Sequence, residues 1–453
     1  MVKEEIYALV KELEDLCLWS CRKIWHHPEV GGTEKDSSEH YRKMLGEEGF
    51  TIKNEPRYPY CFCAEFGSGS PVIAILGEYD ALPGLSQKPV SHKEAVEEGA
   101  AGHGCGHNLL GSAAAAGAIA IKRFLEKAKI SGTVRFYGCP EEEILCGKVK
   151  MIYYKMFDGC DLAISWHPMS ANVVYDNGYL ANASAHFAFN GRASHAGFAP
   201  HLGRSALDAV ELMNVGVNYM REHVNSAARI HYSTCGDRFA PNIVPPYASS
   251  WYFVRAPYIT EVKEILDWIG RIAQGAALMT ETTSEMKIDY GCCEMLENHA
   301  YADLAYANML EAGVPKYTDE EKQFAEELLE TVAPADLKRA YKSFNMEAPL
   351  VDEVTVRDQY LKTPLTASTD SGDVSQMMPM CMFSVTCWPI AIAPHTWQSA
   401  ASAGTTIGEK GALAAAKIIA GIAYDLYTKP EAVAAIKAEF EAKKAQYAPM
   451  YEE

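Results

Sequence analysis

The sequence lacks the features that mark membrane proteins and nucleic-acid-binding proteins. No run of about 18 apolar residues occurs, so we expect no segment that spans a bilayer. Positively charged residues are fewer than negatively charged ones: the sequence has 41 Lys and Arg and 59 Asp and Glu, and the formal net charge is −18. This balance argues against nucleic acid or an anionic membrane surface as a partner. The first residues, MVKEEIYALVKELEDLC, predict a charged amphipathic helix and not a signal peptide.

The cysteines lack the spacing of a disulfide framework. They number 13, which is odd, and they are scattered along the chain. We therefore predict reduced thiols and a cytoplasmic location. Cys61-x-Cys63 and Cys292-Cys293 each lack a matching second pair, so neither pattern by itself predicts a metal site.

The length of 453 residues predicts two domains. In the first part of the chain, strands alternate with helices, which is typical of an α/β fold with a mostly parallel sheet. We assign residues 1–180 and 292–453 to such a catalytic domain. Its predicted strands are Pro71–Leu76, Thr133–Cys139 and Asp161–Trp166, and its predicted helices include Asn108–Lys129 and Ile144–Phe157.

Residues 181–291 follow a different order. They run as strand, helix, two strands, helix and strand, which matches a ferredoxin-like βαββαβ module inserted in the larger domain. The predicted elements are Ala183–Asn190, Ser205–His223, Ala228–Thr234, Ala248–Arg255, Glu261–Met279 and Glu285–Tyr290. We expect this module to be a separate lid domain.

Polar residues gather where the predicted strands end. The three segments are Gly77-Glu78-Tyr79-Asp80, Pro140-Glu141-Glu142-Glu143 and His167-Pro168. Any one of them alone is more simply a helix cap or a solvated loop. Open α/β sheets bind ligands at the carboxyl ends of their strands, so the three together predict one shared site.

The stretch GHGCGHN, residues 102–108, is the most unusual in the chain. Cys105 and His107 stand two residues apart among glycines, so a thiolate and an imidazole could reach one metal ion. A phosphate-cradling GxGxxG loop is excluded because Leu109 occupies the last glycine position. A buried thiol beside a helix-capping histidine remains an alternative for this stretch by itself.

Further metal ligands occur elsewhere in the chain. Glu143 offers an oxygen, and His167 and His395 each offer a nitrogen. Together with Cys105 and His107 they are too many for one closed tetrahedral site. They suit two ions that share a bridging ligand and keep positions open for water.

Two acidic residues near the predicted site are not assigned as metal ligands. Asp80 is predicted to accept the second ring N–H of a ligating histidine. Glu142 stands beside the ligand Glu143, and we predict that it is the general base that takes a proton from water.

Six motifs occur in a fixed order, and together they resemble the metallopeptidase family of carboxypeptidases, aminoacylases and hippurate hydrolases. They are GEYDALPG (77–84), GHGCGHNLLG (102–111), PEEE (140–143), GRASHA (191–196), STDSGDVS (368–375) and PHTWQ (394–398). With HHPEVGGTEKDSSEHYRKMLGEEGF near the start, the resemblance covers nearly the whole chain.

The resemblance implies a zinc or manganese pair bridged through Cys105, with Glu142 as the base. It also implies that the inserted lid dimerises and that His195 reaches the active site of the partner subunit. Arg255 and Asn242 look similar to the family residues that hold the substrate carboxylate, a role that suits the guanidinium fork. An arginine on a strand can equally be a solvated side chain.

The resemblance implies an amidohydrolase that releases glutamate or another amino acid from an N-aroyl or N-acyl conjugate. Asn108 replaces the aspartate of the hippurate-hydrolase branch, and it agrees both with the aminobenzoyl-glutamate branch and with mammalian-type β-alanyl-lysine dipeptidase relatives. Cys146-Gly147 departs from a glycine-rich pair. A dipeptidase of the β-alanyl-lysine type and a catalytically silent peptide-binding protein remain alternatives. We expect a small-molecule substrate and either a homodimer or a heterodimer with a second, homologous chain.

Overall fold

The computed structural model describes residues 2–176, 178–235, 239–356 and 367–451. The chain divides into two compact units. The larger unit comprises Met1–Asn177, Leu296–Thr363 and Val374–Tyr447, and the smaller unit comprises Gly178–Met295, Pro364–Asp373 and Ala448–Glu453.

The larger unit contains a seven-stranded sheet. Its strands are β1 (Thr51–Asn54), β2 (Phe62–Ser68), β3 (Val72–Glu78), β4 (Gly132–Cys139), β5 (Leu162–Met169), β6 (Val173–Tyr175) and β11 (Met380–Thr386). Their order in the sheet is β1-β2-β4-β3-β5-β11-β6. The four central strands β4, β3, β5 and β11 run parallel, and the strands at both edges pair antiparallel. This is a mixed α/β fold with a mostly parallel sheet, as predicted.

Helices surround this sheet, and one of them is almost entirely buried. The helix His107–Ala128 is rich in alanine and glycine, so neighbouring backbones can approach it closely. It packs against β3 and against the helix Thr406–Thr428. In the described residues outside 178–295, the other helices are Lys3–Glu12, Glu14–His26, Lys35–Glu47, Gly147–Tyr153, His299–Ala312, Asp319–Leu329, Pro334–Phe344, Ser371–Met377, Trp397–Ala403 and Pro430–Lys443.

The smaller unit has a four-stranded antiparallel sheet. Its strands are β7 (Ala181–Asn190), β8 (Arg229–Cys235), β9 (Tyr247–Ala256) and β10 (Thr283–Cys292), and its two long helices are Ala206–Met220 and Ile259–Thr280. The strand order is β10-β7-β9-β8. Phe187, Tyr252 and Ile269 belong to the buried apolar cluster that joins these helices to the sheet. The observed chain order is strand, helix, two strands, helix and strand.

Three details differ from the sequence predictions. The predicted helix Ile144–Phe157 is shorter, because a 3₁₀ turn at Glu142–Ile144 precedes a helix that covers only Gly147–Tyr153. His167 lies inside β5 rather than after its end. Strands β1, β2, β6 and β11 were not predicted.

None of the helices in the described ranges combines the length and apolar content that a membrane crossing needs.

Candidate metal centre

The end of β3 and the start of the helix His107–Ala128 position the first pair of side chains. His107 Nδ1 lies 2.8 Å from Asp80 Oδ1 and 3.0 Å from the Asp80 carbonyl oxygen. Both of these oxygens are acceptors, so Nδ1 donates and Nε2 is the ring nitrogen left to bind a cation. The structure therefore places the Asp80 carboxylate against the His107 ring.

The glycine-rich loop brings Cys105 to the same place. A Cβ at Gly102 would lie 1.9 Å from the Leu85 carbonyl oxygen, and Gly106 has a φ of +77°. Larger side chains would be strained at both positions. In this conformation Cys105 Sγ lies 3.4 Å from His167 Nε2.

His167 and His395 approach from two other segments. His167 Nδ1 donates to the Pro168 carbonyl oxygen at 2.7 Å, which leaves Nε2 facing Cys105. The His395 backbone N–H donates to the Gly104 carbonyl at 2.9 Å, and its Nε2 lies 3.2 Å from Glu143 Oε2. His395 has a φ of +65°, a conformation that non-glycine residues seldom adopt.

The 3₁₀ turn after β4 supplies two carboxylates. The Glu143 backbone N–H donates to Asp80 Oδ2 at 2.8 Å, so Asp80 connects the β3 loop, the turn and His107. Glu142 Oε2 lies 3.8 Å from His107 Nε2. Glu142 and Glu143 are therefore neighbours in the cluster as well as in the sequence.

The donor atoms form three groups in which all atoms lie within 4.8 Å of one another. The groups are Cys105 with His107 and His167, Cys105 with Glu143 and His395, and Glu78 with His107 and Glu142. Cys105 belongs to two of them, and a thiolate can bridge two cations. The residues predicted as metal ligands are all brought together here.

Three buried atoms in this cluster lack a hydrogen-bond partner in the part of the chain that the structure describes: Glu78 Oε2, His107 Nε2 and Glu143 Oε1. An unsatisfied buried polar atom is costly unless a partner is supplied. Two carboxylate oxygens and a ring nitrogen are hard and borderline donors that suit divalent cations. The donor set therefore fits metal ions.

The electrostatics of the cluster also favour a cation. Burial alone would lower the pKa of His107, but Cys105 and Asp80 more than offset this, and the pKa lies well above its ordinary value. Burial and the neighbouring Glu143 raise the pKa of the Cys105 thiol. Burial and His107 lower the pKa of His167 to about 4. The acidic groups around His107 thus favour a positive charge at this place, and a divalent metal ion would supply it.

The sequence reasoning placed Glu78 in one of the polar segments of the predicted site but gave it no role, and it did not single out Lys148. Their side chains are 2% and 0% exposed, and Lys148 Nζ lies 2.6 Å from Glu78 Oε1. Burial opposes ionisation of Glu78, but Lys148, His107 and His167 outweigh it and lower its pKa. One sequence signal existed, because Glu78 and Asp80 are two residues apart at a strand end and could share a face.

His195 and Asn242 lie together in the smaller unit. Nδ1 of His195 accepts the backbone N–H groups of Gly197 at 3.2 Å and Phe198 at 3.0 Å. The Asn242 carbonyl accepts the Ala196 N–H at 2.8 Å. The histidine ring is thus oriented by the backbone, and its Nε2 is the nitrogen that can donate to another group.

Arg255 lies on β9, where its register partners are Asn182 and Arg229. Burial lowers the pKa of Arg255. Its Nε is buried and has no hydrogen-bond partner in the described residues. A guanidinium with an unsatisfied N–H suits an anionic ligand.

Comparisons with known proteins give consistent results. The sequence matches the family described as Peptidase family M20/M25/M40 over residues 74–397. It is 42% identical to the B subunit of p-aminobenzoyl-glutamate hydrolase of Escherichia coli, over 89% of this chain and 88% of that protein. It is 26% identical to a Xaa-Arg dipeptidase of Mus musculus, over 93% of this chain and 88% of that protein.

A solved structure of a dinuclear metal-binding peptidase from Bacillus subtilis has a similar fold. The TM-score is 0.61 at 17% identity, and the match covers 91% of this chain and 98% of that chain. At this identity the likeness concerns the fold.

Proposed function

The chain belongs to peptidase family M20/M25/M40 and is a hydrolase, and on that premise we propose that it cuts an amide bond next to a free carboxylate. The reaction releases glutamate or another amino acid from an N-aroyl or N-acyl conjugate such as p-aminobenzoyl-glutamate. The 42% identity to the Escherichia coli hydrolase supports this substrate class. A dipeptidase has weaker support, since the relative of that name is 26% identical.

The observation that carries the proposal is the pair of donor groups that share Cys105. We assign Cys105, His107, Glu143, His167 and His395 as ligands of two divalent ions, zinc or manganese. Such ions, when bound, polarise the amide carbonyl and acidify the attacking water. Asp80 holds the His107 ring by the 2.8 Å hydrogen bond to Nδ1.

Glu142 is assigned as the general base. Its carboxylate is buried and lies beside His107 without belonging to either donor group that contains Cys105. It takes one proton from the attacking water and gives it to the leaving amine nitrogen, which becomes the free amine. The second proton of that water stays on the new carboxyl group and leaves to solvent, so the acyl product is a carboxylate. The same side chain is therefore base and then acid.

The smaller unit is assigned as a ferredoxin-like lid, with residues 181–291 as the lid domain and residues 1–180 and 292–453 as the catalytic domain. The observed order of strands and helices supports this assignment. Arg255 and Asn242 bind the substrate carboxylate, and His195 donates to the oxyanion in the active site of the partner subunit.

We further propose a homodimer, or a heterodimer with a second, homologous chain. The Escherichia coli relative is named as the B subunit of its enzyme, and the A subunit of that enzyme is also similar to this chain, at 25% identity over 47% of it. All thirteen cysteines lie in the described residues, and none of them forms a disulfide. A reducing compartment such as the cytoplasm suits that state.

The proposal is tested by assaying the purified, metal-loaded protein against p-aminobenzoyl-glutamate, N-acyl amino acids and dipeptides. We expect the highest kcat/KM with the aroyl-glutamate, and a loss of at least ~10²-fold in Glu142→Gln. A higher kcat/KM with dipeptides would favour the dipeptidase alternative. Binding without turnover of any of them would identify a catalytically silent protein.

A further inference from the structure

The buried ion pair of Glu78 and Lys148 has no role in the function proposed above. Its two charged atoms are 2.6 Å apart, and the side chains are almost inaccessible to solvent. Burying two charges costs desolvation energy that their mutual attraction barely repays. An apolar pair of the same volume would stabilise the fold at least as well, so stability alone does not explain these residues.

The second oxygen of Glu78 points toward the metal centre. Oε1 contacts Lys148 Nζ, whereas Oε2 lies 3.3 Å from His107 Nε2. Both facing atoms are buried, and within the described residues neither has a hydrogen-bond partner. Since His107 Nδ1 already donates to Asp80, the ring nitrogen available for a cation is the one that faces Glu78.

The formal charges of the cluster explain why Lys148 is buried beside it. Glu78, Asp80, Glu142 and Glu143 are four carboxylates in contact with His107. Together with the Cys105 thiolate, these four carboxylates carry five formal negative charges. Two divalent ions balance only four of them. The Lys148 ammonium brings the formal sum to zero. Buried charges persist when they are compensated in this way.

We propose that Glu78 is a further ligand of the ion held by His107, and that Lys148 is the counter-charge that orients Glu78 and balances its carboxylate. This inference rests on the two-metal site of the proposed function. Lys148 is a positioning residue and does not contact the ion. The ligand concerned is a divalent cation.

Titration of the metal-free protein with Co²⁺ tests the role of Glu78. We expect the wild-type chain to bind two ions. Glu78→Gln should bind one as before and the other at least ~10-fold more weakly, since even residues that only support a ligand change affinity 10- to 100-fold. The d–d absorption bands of the weakened ion should change, while the thiolate band from Cys105 stays.

Glu321→Gln is the matched control. Glu321 is also a buried glutamate, and its Oε2 lies 2.6 Å from the Nζ of Lys410. It belongs to none of the three donor groups, so this variant should bind both ions with wild-type affinity. Should Glu78→Gln fail to fold, the double variant Glu78→Gln with Lys148→Met removes both charges and gives the same measurement.

Unchanged affinities or unchanged d–d bands in Glu78→Gln would overturn the proposal. A wild-type chain that binds no Co²⁺ would instead contradict the proposed function, so the two failures are distinguishable.

Lys148→Met provides a second, thermal test. The variant should still bind two ions, because Lys148 is not a ligand. Its metal-free form should lose more stability than its loaded form, because Glu78 is unpaired only when the ion is absent. The rise in Tm on adding Co²⁺ should therefore be larger than in wild type. A merely structural ion pair predicts an equal rise in both proteins, and that result would contradict the assignment.

Discussion

Cys105 is the residue on which both candidate ion sites depend. Its thiol belongs to two of the three donor groups and faces His167 at 3.4 Å. Burial and Glu143 raise its pKa, so the thiol stays protonated unless a cation stabilises the thiolate.

Replacing Cys105 by alanine should lower the metal content of the purified protein and abolish activity, because both ions lose the shared ligand. Elemental analysis of the protein measures the metal content. Cys381→Ala is a suitable control, because Cys381 is also buried and belongs to none of the donor groups. Full metal content and full activity in Cys105→Ala would remove the thiol from the site.

Glu142 should behave differently from Cys105 when it is replaced, because its proposed role is proton transfer and not metal binding. Glu142→Gln should keep both ions and substrate binding while kcat falls by at least ~10²-fold, the usual contribution of a general base. Metal analysis and steady-state kinetics on the same preparation separate the two properties. A loss of metal in this variant would show that Glu142 is a ligand instead.

At the scale of elements, the helix His107–Ala128 determines the geometry of the site because its first residue is a candidate ligand. It approaches β3 closely at Gly111, where a Cβ would lie 2.6 Å from the Glu78 carbonyl oxygen and 2.8 Å from the Tyr41 hydroxyl. The contact on the strand side is backbone and cannot rotate away. The absence of a side chain at Gly111 thus keeps His107 near Glu78 and Asp80.

Gly111→Ala should destabilise the protein by about 1–3 kcal/mol, the usual cost of overpacking, and should weaken metal binding. Gly275→Ala is the control, since Gly275 lies in the helix Ile259–Thr280 and a Cβ added there would meet no atom within 4 Å. That variant should gain about 0.5–1 kcal/mol from helix propensity. Denaturant unfolding measures both changes. Equal effects of the two substitutions would contradict the close-contact explanation.

At the scale of the whole molecule, the proposed catalytic groups belong to two compact units. Glu142 and the metal ligands are in the larger unit, whereas His195 is in the smaller one. The backbone N–H groups of Gly197 and Phe198 orient the His195 ring. A ring oriented in this way is suited to donate from Nε2 to an oxyanion.

Mixing two inactive proteins tests whether His195 acts across a dimer. His195→Ala and Glu142→Gln homodimers should each be nearly inactive. A mixed dimer contains one site with an intact Glu142 and the partner's intact histidine, and one site with neither. Free exchange makes roughly half the dimers mixed, so roughly a quarter of all sites should recover activity. No recovery after verified exchange would place His195 within its own protomer or outside catalysis.

The local sequence was sufficient for the parts of the site that depend on a few adjacent residues. The glycines around Cys105 and His107 predict a bent loop with two donors, and the Glu142-Glu143 pair predicts a base beside a ligand. Short apolar segments also predicted β3, β4 and β5, because a buried strand between glycines and polar loops is a local pattern.

The remaining features depend on residues that are distant in the sequence. Lys148 meets Glu78 only because Glu78 ends β3 and the helix Gly147–Tyr153 follows β4, its parallel neighbour in the sheet. Strand β11 is buried at every residue, and the apolar stretch 387–393 follows it directly, so no glycine or polar loop marks its end in the sequence. Local patterns show which residues can form a strand or bind an ion. The strands that pair determine which of these residues come into contact. Strand pairing in turn depends on the burial of the whole sheet, which no short segment of sequence shows.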